Sequence, residues 1–420
     1  MNKFIRRAEF HICIGLLLMV FSLPAFAGKT SEKLKIKFVD YFYENASPVC
    51  WSIQGDTLLK ISLMPDYERE SLNRQTTHWN FRVEADSGTH LRMSISKMLN
   101  EVYNGSPSKE WWDKNHPISC YISYDKKKWI PVMTKLYGGQ ELLVDLVMER
   151  KSIWVARLPV YSLSDLDDLE KKFIGNSYFK VIPAGSTVGG RTLEIIRLGD
   201  PLAPHSVIIR ARAHSWEPGG SWIVEGLINK FLQTKPENWL KSYCVYIMPM
   251  ANKDGVARGM TRFNAAGMDL NRKWDKLSDP SICPEKYALE KFIEKLIEKG
   301  IRPELGIDIH NDDAGSISFC MHKQEDTVFM KRAELFEKLL RDLTCFSEKA
   351  NFPVQIPGTQ ERFVMFEDGL YSRYGIPALV WELNANWIVP KASMPVSDDW
   401  IRSGENLNEV FYQYFNDEKR

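Results

Sequence analysis

The chain has 420 residues, 44% of them hydrophobic, with 55 Lys and Arg against 54 Asp and Glu. That is enough apolar chain for a large core and two domains. The charge is balanced and spread along the chain, and nothing in it suggests a nucleic-acid-binding surface or a disordered tail.

The first 27 residues differ from the rest. Lys3, Arg6 and Arg7 precede an apolar segment, Ile12 to Phe21, and Ala25-Phe26-Ala27 forms a small-residue cleavage signal before Gly28. This is the pattern of a secretory signal peptide, with an apolar stretch too short to span a bilayer comfortably. The expectation is an exported protein, periplasmic or secreted, with no membrane attachment once residues 1–27 are removed. Six cysteines follow the segment, and their spacing fits no zinc motif or dense disulfide framework. Cys50 and Cys120 are the first pair to test for a disulfide, since export permits one. Cys244 and Cys320 lie in apolar surroundings and read as buried thiols.

Residues 28–161 read as a β-sandwich domain. Strand patterns appear at Leu34 to Tyr43, Leu58 to Leu63, Thr77 to Val83, Leu91 to Ile95, Leu142 to Met148 and Ile153 to Leu158. Tyr121 to Tyr124 and Trp129 to Met133 flank Asp125-Lys126-Lys127-Lys128, a polar hairpin turn. Many short strands at this spacing predict an antiparallel sandwich. His78, His90 and His116 show no metal-ligand spacing, so this half reads as a packing or recognition module.

Ser162 to Phe173 opens a second domain, 162–420, with a helix whose first turns are acidic. Strands then alternate with helices. Val207 to Arg212, Tyr243 to Met250, Leu305 to Ile309 and Ala378 to Leu383 are apolar strands, and Tyr287 to Lys299 and Val328 to Leu343 are amphipathic helices. This order predicts an α/β domain on a mostly parallel or mixed sheet.

The polar residues at the strand ends carry the chemistry. After Val207 to Ile209 come His214 and Glu217, then Pro218-Gly219-Gly220, then a helical stripe of Ile223, Val224, Leu227, Ile228, Phe231 and Leu232. An imidazole and a carboxylate thus sit beyond the carboxyl end of a strand, where open α/β sheets bind ligands. Nitrogen and oxygen ligands of this kind suit Zn²⁺. Alone, H-x-x-E is a weak signal, because a surface His beside a helix-capping Glu has the same spelling. Leu305-Gly306-Ile307-Asp308-Ile309 runs into His310, a second imidazole at a strand end. Ala378-Leu379-Val380-Trp381 runs into Glu382, a carboxylate in an apolar segment, where desolvation raises a pKa toward that of a general base. Between Glu217 and His310 lies a loop-rich stretch with Arg262, Asp269, Asn271 and Arg272. Taken singly, the arginines read as surface ion pairs, Asp308 as a strand cap and His310 as a core histidine. Their occurrence together, in this order, is what favours a site.

These pieces resemble the M14 zinc carboxypeptidases, especially their cytosolic carboxypeptidase branch. The similar segments are A-R-A-H-S-W-E, N-K-D-G-V, G-M-D-L-N-R-K-W, G-I-D-I-H and V-W-E-L, with T-H-W-N-F-R-V and W-V-A-R-L-P-V-Y-S-L-S-D-L in the first half. The resemblance implies a mixed-sheet α/β/α zinc carboxypeptidase domain preceded by an antiparallel β-sandwich. It implies one Zn²⁺ per chain on His214, Glu217 and His310, with Asp269 orienting His214. Glu382 would be the general base, Arg262 would polarise the scissile carbonyl, and Asn271 with Arg272 would hold the terminal carboxylate.

Two departures accompany the resemblance. The family usually carries a mobile-loop tyrosine some twenty residues before the base, whereas Gly358 to Phe363 has none. Tyr371 and Tyr374 are out of register with that position. The branch's usual H-P-G-E is H-S-W-E here, which places Trp216 at the expected pocket rim. Members of the branch often remove glutamates from acidic tails. Here Glu367-Asp368 point instead to a Lys, Arg or diaminopimelate-like side chain, while Arg362 and Arg373 argue the other way. The substrates expected are a peptide or protein C-terminus or, in a periplasm, peptidoglycan stem peptides. The alternatives are a catalytically silent peptide-binding protein and a zinc amidase acting on stem peptides.

Overall fold

Thirteen strands precede the first helix among the described residues: β1 Ile36–Asp40, β2 Val49–Gln54, β3 Leu58–Leu63, β4 Arg74–Thr76, β5 Asn80–Ala85, β6 His90–Ser96, β7 Leu99–Tyr103, β8 Ser106–Pro107, β9 Cys120–Ser123, β10 Ile130–Val132, β11 Thr134–Tyr137, β12 Glu141–Val147 and β13 Ser152–Ala156. The computed structural model describes residues 35–69, 73–103, 106–107, 116–138, 141–234, 237–313, 315–320, 327–345, 354–355 and 364–417. The signal-like segment, the stretch from Gly358 to Phe363 with Arg362, and the Cys320 side chain lie outside the described residues.

Two five-stranded sheets, ordered β1-β5-β13-β9-β10 and β11-β12-β6-β3-β2, form the sandwich. Alternating residues from both sheets, such as Val39, Phe81, Val83 and Ile153 from one and Leu59, Ile61, Met93 and Val144 from the other, share one buried core. The pairing is antiparallel except between β3 and β6, which run parallel. That pair departs from an all-antiparallel expectation because the intervening chain crosses to the other sheet through β5. The polar hairpin is present, with Asp125 Oδ1 accepting from the backbone N–H of Lys127 and Lys128 at 2.8 Å each. Cys50 is exposed on β2 and Cys120 is buried on β9 in the opposite sheet; both are free thiols, so the expected candidate disulfide is absent. Cys244 is a buried free thiol.

The second half runs α1 Leu163–Phe173, β14 Phe179–Ser186, β15 Thr192–Leu198, β16 His205–Ala211, α2 Gly219–Thr234, α3 Glu237–Ser242, β17 Tyr243–Met248, α4 Lys253–Ala257, α5 Pro284–Glu298, β18 Leu305–Asp312, β19 Ser316–Cys320, α6 Thr327–Leu343, β20 Val354–Gln355, α7 Phe366–Tyr374, β21 Ala378–Asn384 and α8 Ser397–Asn416. Ser162 caps α1 in a reciprocal capping box with Asp165. The eight strands form a mixed sheet, β14-β15-β17-β16-β18-β21-β19-β20, with β17, β16, β18 and β21 parallel at its centre.

Strand alternation assigns the faces. Val207, Ile209, Ile307, Ile309, Leu379 and Trp381 point into a core shared with α2, α6 and α8. Ile208 and Ala378 point the other way, to α5 and α7. Arg210, Asp308, His310 and Glu382 therefore fall on the α5/α7 face, and His310 stands directly opposite Glu382 in the register of β18 and β21. On the first face, α2 and α8 cross closely. A Cβ on Gly226 would lie 2.0 Å from the Ile401 carbonyl, and one on Gly404 would lie 2.0 Å from the Ile223 carbonyl. From Lys35 onward the chain is one compact unit. Among the described residues no helix is long and apolar enough to cross a membrane.

Candidate metal centre

His214 and Glu217 occupy the turn between β16 and α2. Arg212 adopts φ +60° there, a backbone state uncommon for a side chain of its size. It is held by its own guanidinium, which donates from Nε to the Ser215 carbonyl at 2.9 Å and from Nη1 to the Tyr161 carbonyl at 3.1 Å. The turn then enters α2 against the end of β18. A Cβ on Gly219 would sit 2.7 Å from both Asn311 Oδ1 and a Leu383 methyl, so glycine is needed for this approach.

Three side chains from two strand ends converge. His214 Nδ1 lies 2.8 Å from Glu217 Oε1, His310 Nδ1 lies 2.7 Å from Glu217 Oε2, and the two Nδ1 atoms lie 3.2 Å apart. All three residues are buried. The far nitrogen of each ring faces a carboxylate: His214 Nε2 is 3.1 Å from Asp269 Oδ1, and His310 Nε2 is 2.6 Å from Asp308 Oδ2. Nε2–H tautomers satisfy both carboxylates and leave two Nδ1 lone pairs aimed, with Glu217, at one space. In those tautomers the two lone pairs and the carboxylate repel one another, and either ring protons donated to Glu217 or a metal cation between the three groups offsets that repulsion. The donor set, two imidazoles and one carboxylate, suits Zn²⁺.

Charge balances around this point. Asp308 is fully buried and receives Arg210 in a two-pronged ion pair, Nε donating to Oδ1 at 2.7 Å and Nη2 to Oδ2. Arg210 also donates to the Leu270 carbonyl at 2.8 Å and to Asn271 Oδ1 at 2.9 Å, and lies over the rings of Trp274 and Phe366. Burial alone would raise the Asp308 pKa, but Arg210 and His310 hold it below the usual carboxylate range. Asp269 is likewise held well below that range, against its burial, by Arg262, Arg272 and His214.

Glu382 lies half-buried beside His310, with Oε2 sealed and without a hydrogen bond among the described residues. Burial pushes its carboxyl well above the ordinary range; His310 opposes the shift, while Asp312, Glu217 and Asp308 add to it. Arg262 is buried, with Nε donating to Asp269 Oδ2 at 2.8 Å and Nη1 to Gln75 Oε1 at 3.3 Å. Its Nη2 makes no hydrogen bond among the described residues. Asn271 is turned inward: Oδ1 accepts from Arg210 and from the Phe366 backbone N–H at 3.0 Å, and Nδ2 lies 3.3 Å from His310 Nε2. Arg272 is partly exposed, with Nη1 donating to the Asn271 carbonyl at 2.7 Å.

The structure brings every expected site residue to the carboxyl end of the central strands. Trp216 differs from expectation. It is 1% exposed, packed in the core beneath the Arg157 guanidinium, and forms no pocket rim, because a large ring following the strand end gains more from burial than from exposure. Arg373 pairs with Glu290, so it does not neutralise the acidic pair at Glu367-Asp368. Tyr374 donates to Glu294 on α5, away from the centre. Sequence reasoning missed Arg210 and the support role of Asp308, although the i, i+2 spacing of Asp308 and His310 on one strand face was a usable signal.

Comparison with known proteins gives a consistent picture. Residues 166–324 match the family model described as zinc carboxypeptidase, Peptidase_M14. That span includes His214, Glu217, Arg262, Asn271, Arg272 and His310 but stops short of Glu382. Human cytosolic carboxypeptidase 6 is 27% identical over 269 residues, covering 60% of this chain and 52% of that protein. A metallo-carboxypeptidase from Burkholderia cenocepacia aligns with TM-score 0.78 and 19% identity over 91% of this chain and 99% of that one. A metallo-carboxypeptidase from Pseudomonas aeruginosa, solved with (2-guanidinoethylmercapto)succinic acid, aligns with TM-score 0.75 and 21% identity over 91% and 100%. The chain spans about half or less of the length of the cytosolic carboxypeptidases it matches.

Proposed function

We propose that this chain, a member of the Peptidase_M14 zinc carboxypeptidase family, is a metallocarboxypeptidase that hydrolyses the terminal peptide bond of substrates with a free C-terminus. The observation that carries the reading is the convergence of His214 Nδ1, His310 Nδ1 and the Glu217 carboxylate on one space, with both far ring nitrogens anchored on carboxylates.

His214, Glu217 and His310 hold one zinc ion per chain in this reading. Zinc supplies Lewis acidity there, making water acidic enough to attack near neutral pH. Glu382 takes the water's proton and returns it to the leaving amine; burial raises its pKa well above the ordinary carboxylate range, which favours that proton traffic. Arg262 presents Nη2 to the scissile carbonyl oxygen as negative charge develops. Arg272 meets the substrate carboxylate, helped by the amide hydrogens of Asn271. That contact restricts cleavage to the terminal residue.

The side chain released is basic in our reading. Glu367, in the first turn of α7, is fully buried, and neither carboxylate oxygen has a hydrogen-bond partner among the described residues. Burial drives its pKa well up, with Asp368 adding to the shift. A cation brought beside it would draw the proton off and form a charge-assisted pair. Lys, Arg and diaminopimelate-like residues fit this demand. With the signal-like leader, such chemistry supports an exported enzyme acting on peptides or on peptidoglycan stem peptides.

The test is release of a single terminal amino acid from defined peptides ending in Lys, diaminopimelate or Glu, with and without a chelator. Loss of activity with chelator, recovery with zinc, and a preference for basic ends are expected. Unchanged activity after metal removal would refute the reading. In Glu382→Gln, turnover should fall about 10²–10⁴-fold, the usual worth of a general base, with zinc content retained.

A further inference from the structure

We propose that Asp66, on the β-sandwich side of the molecule, is a positioning residue for Arg262, so that the sandwich supplies part of the active-site frame. The inference rests on the role given to Arg262 above.

Arg262 stands on a segment outside any helix or strand. The preceding helix, α4, has only five residues, and no helix or strand follows until α5 begins at Pro284. The segment's carbonyls are held by its own half, Thr261 accepting from the Trp216 N–H at 3.0 Å and Arg262 and Phe263 from Asn252 Nδ2 at 3.1 and 3.0 Å, whereas its N–H groups are held from the sandwich half. The Asp66 carboxylate accepts three consecutive backbone N–H groups: Thr261 to Oδ1 at 2.8 Å, and Arg262 and Phe263 to Oδ2 at 2.6 and 3.1 Å. A carboxylate cradled by successive amides is a charge-assisted contact that fixes backbone orientation. Thr261 Oγ1 accepts from the N–H groups of Thr77 and His78 at 3.3 and 3.4 Å. Further along, Arg69 N–H donates to the Gly267 carbonyl at 3.0 Å. Gly259, at φ +61°, passes so near the sandwich that a Cβ would lie 2.2 Å from the Ala46 carbonyl.

The side chain is held from the same direction. Gln75 on β4 accepts from Arg262 Nη1, while Asp269 takes Nε, which leaves Nη2 for substrate. A guanidinium that must meet a developing charge loses much of its effect when displaced by about 1 Å. Two residues of the sandwich half thus share, with Asn252 and Asp269, in setting the backbone and the head of one arginine. Neither contributes a metal ligand or a proton.

A double-mutant cycle on the full-length, zinc-loaded protein tests this, with an N-acylated dipeptide ending in lysine as substrate. Asp66→Asn keeps the shape but replaces one acceptor oxygen with an NH₂ that faces N–H groups. We expect kcat to fall at least tenfold, KM to move less than threefold and zinc content to stay at one per chain. In an Arg262→Ala background the same substitution should cause no further loss of kcat, since the group it positions is gone. An equal loss in both backgrounds would overturn the proposal by making Asp66 a general fold residue. Wild-type kcat in Asp66→Asn would overturn it directly. Wild-type kcat in Arg262→Ala would instead refute the role of Arg262 and remove this inference with it. Should Asp66→Asn fail to melt cooperatively, Gln75→Met decides: it removes an acceptor at nearly constant shape. Its expected loss of about threefold in kcat must likewise vanish in Arg262→Ala, and a loss that persists there overturns the proposal.

Discussion

Replacing Asp308 with Asn separates metal binding from folding at the centre. Asp308 is fully buried between Arg210 and His310. The substitution keeps volume but removes a charge and one acceptor oxygen. Asp308 Oδ2 meets both Arg210 Nη2 and His310 Nε2, so if the amide oxygen takes the place of Oδ1 beside Arg210 Nε, the amide nitrogen faces both groups and donates to His310 Nε2. His310 must then carry its proton on Nδ1, the atom that faces His214 and Glu217. A protonated Nδ1 is no longer a metal ligand, so holding zinc requires the amide oxygen in the place of Oδ2, with the amide nitrogen turned against Arg210 Nε. Outer-shell substitutions of this kind weaken metal binding by about 10–100-fold, or about 1.4–2.8 kcal/mol. Independently, Arg210 is left buried without its partner, a change that costs about 3–5 kcal/mol of folding stability. Zinc affinity is measured by competition with a chromophoric chelator, and stability by urea unfolding of the metal-free protein. Both should fall. Zinc affinity unchanged within twofold, with stability lost, would show that Asp308 serves Arg210 alone and that the tautomer argument is wrong.

Further outcomes follow from other sites. Glu285 is 1% exposed, and burial pushes its pKa from 4.5 up to about 7, opposed by the hydrogen bond from Asn264. Its folded pKa exceeds the unfolded value, so this contribution to stability is full below about pH 4.5 and is lost as pH rises through about 7. The change is on the order of 3 kcal/mol, and Glu285→Gln, which retains an acceptor for Asn264, should flatten the stability profile between pH 5 and 8 in urea titrations. Glu367→Gln should lower kcat/KM for peptides ending in Lys or Arg by tenfold or more while leaving those with neutral ends within threefold; equal losses on both would remove Glu367 from specificity. Gly226→Ala places a methyl against the Ile401 carbonyl, and overpacking there should cost about 1–3 kcal/mol in thermal unfolding without altering zinc content in the surviving fold. Calorimetry showing an unchanged Tm would contradict the close α2/α8 crossing.

Local signals explain what was legible. The strands carrying the centre are largely apolar runs, so β16, β18 and β21 were visible, and the polar residues interrupting or following them marked the site. His214, Glu217, His310 and Glu382 are each tied to one such strand end. The Asp125 hairpin and the Ser162 cap are also written within a few residues. Where a reading depended on facing elements it failed or was absent. Trp216 was expected at a rim and is core, because exposure is decided by what packs above the turn. Cys50 and Cys120 fall in opposite sheets and do not pair. Helix α8 was passed over, although it buries Trp400, Leu407, Val410 and Phe411 against α2 and α6.

The amino-acid sequence by itself determined the chemistry available: two imidazoles, the carboxylates and the arginines, each placed at a strand end or loop by short-range periodicity. Only the tertiary structure decided their partners. Asp308 lies 98 residues from Arg210, and Asp66 lies 196 from Arg262. Backbone preference and side-chain alternation act over a few residues, so they fix an element and its faces. A hydrogen bond across such separations exists only after the sheets have formed and the two halves have closed against each other. The ligands are therefore inscribed locally, while the frame that aims them is a product of the fold.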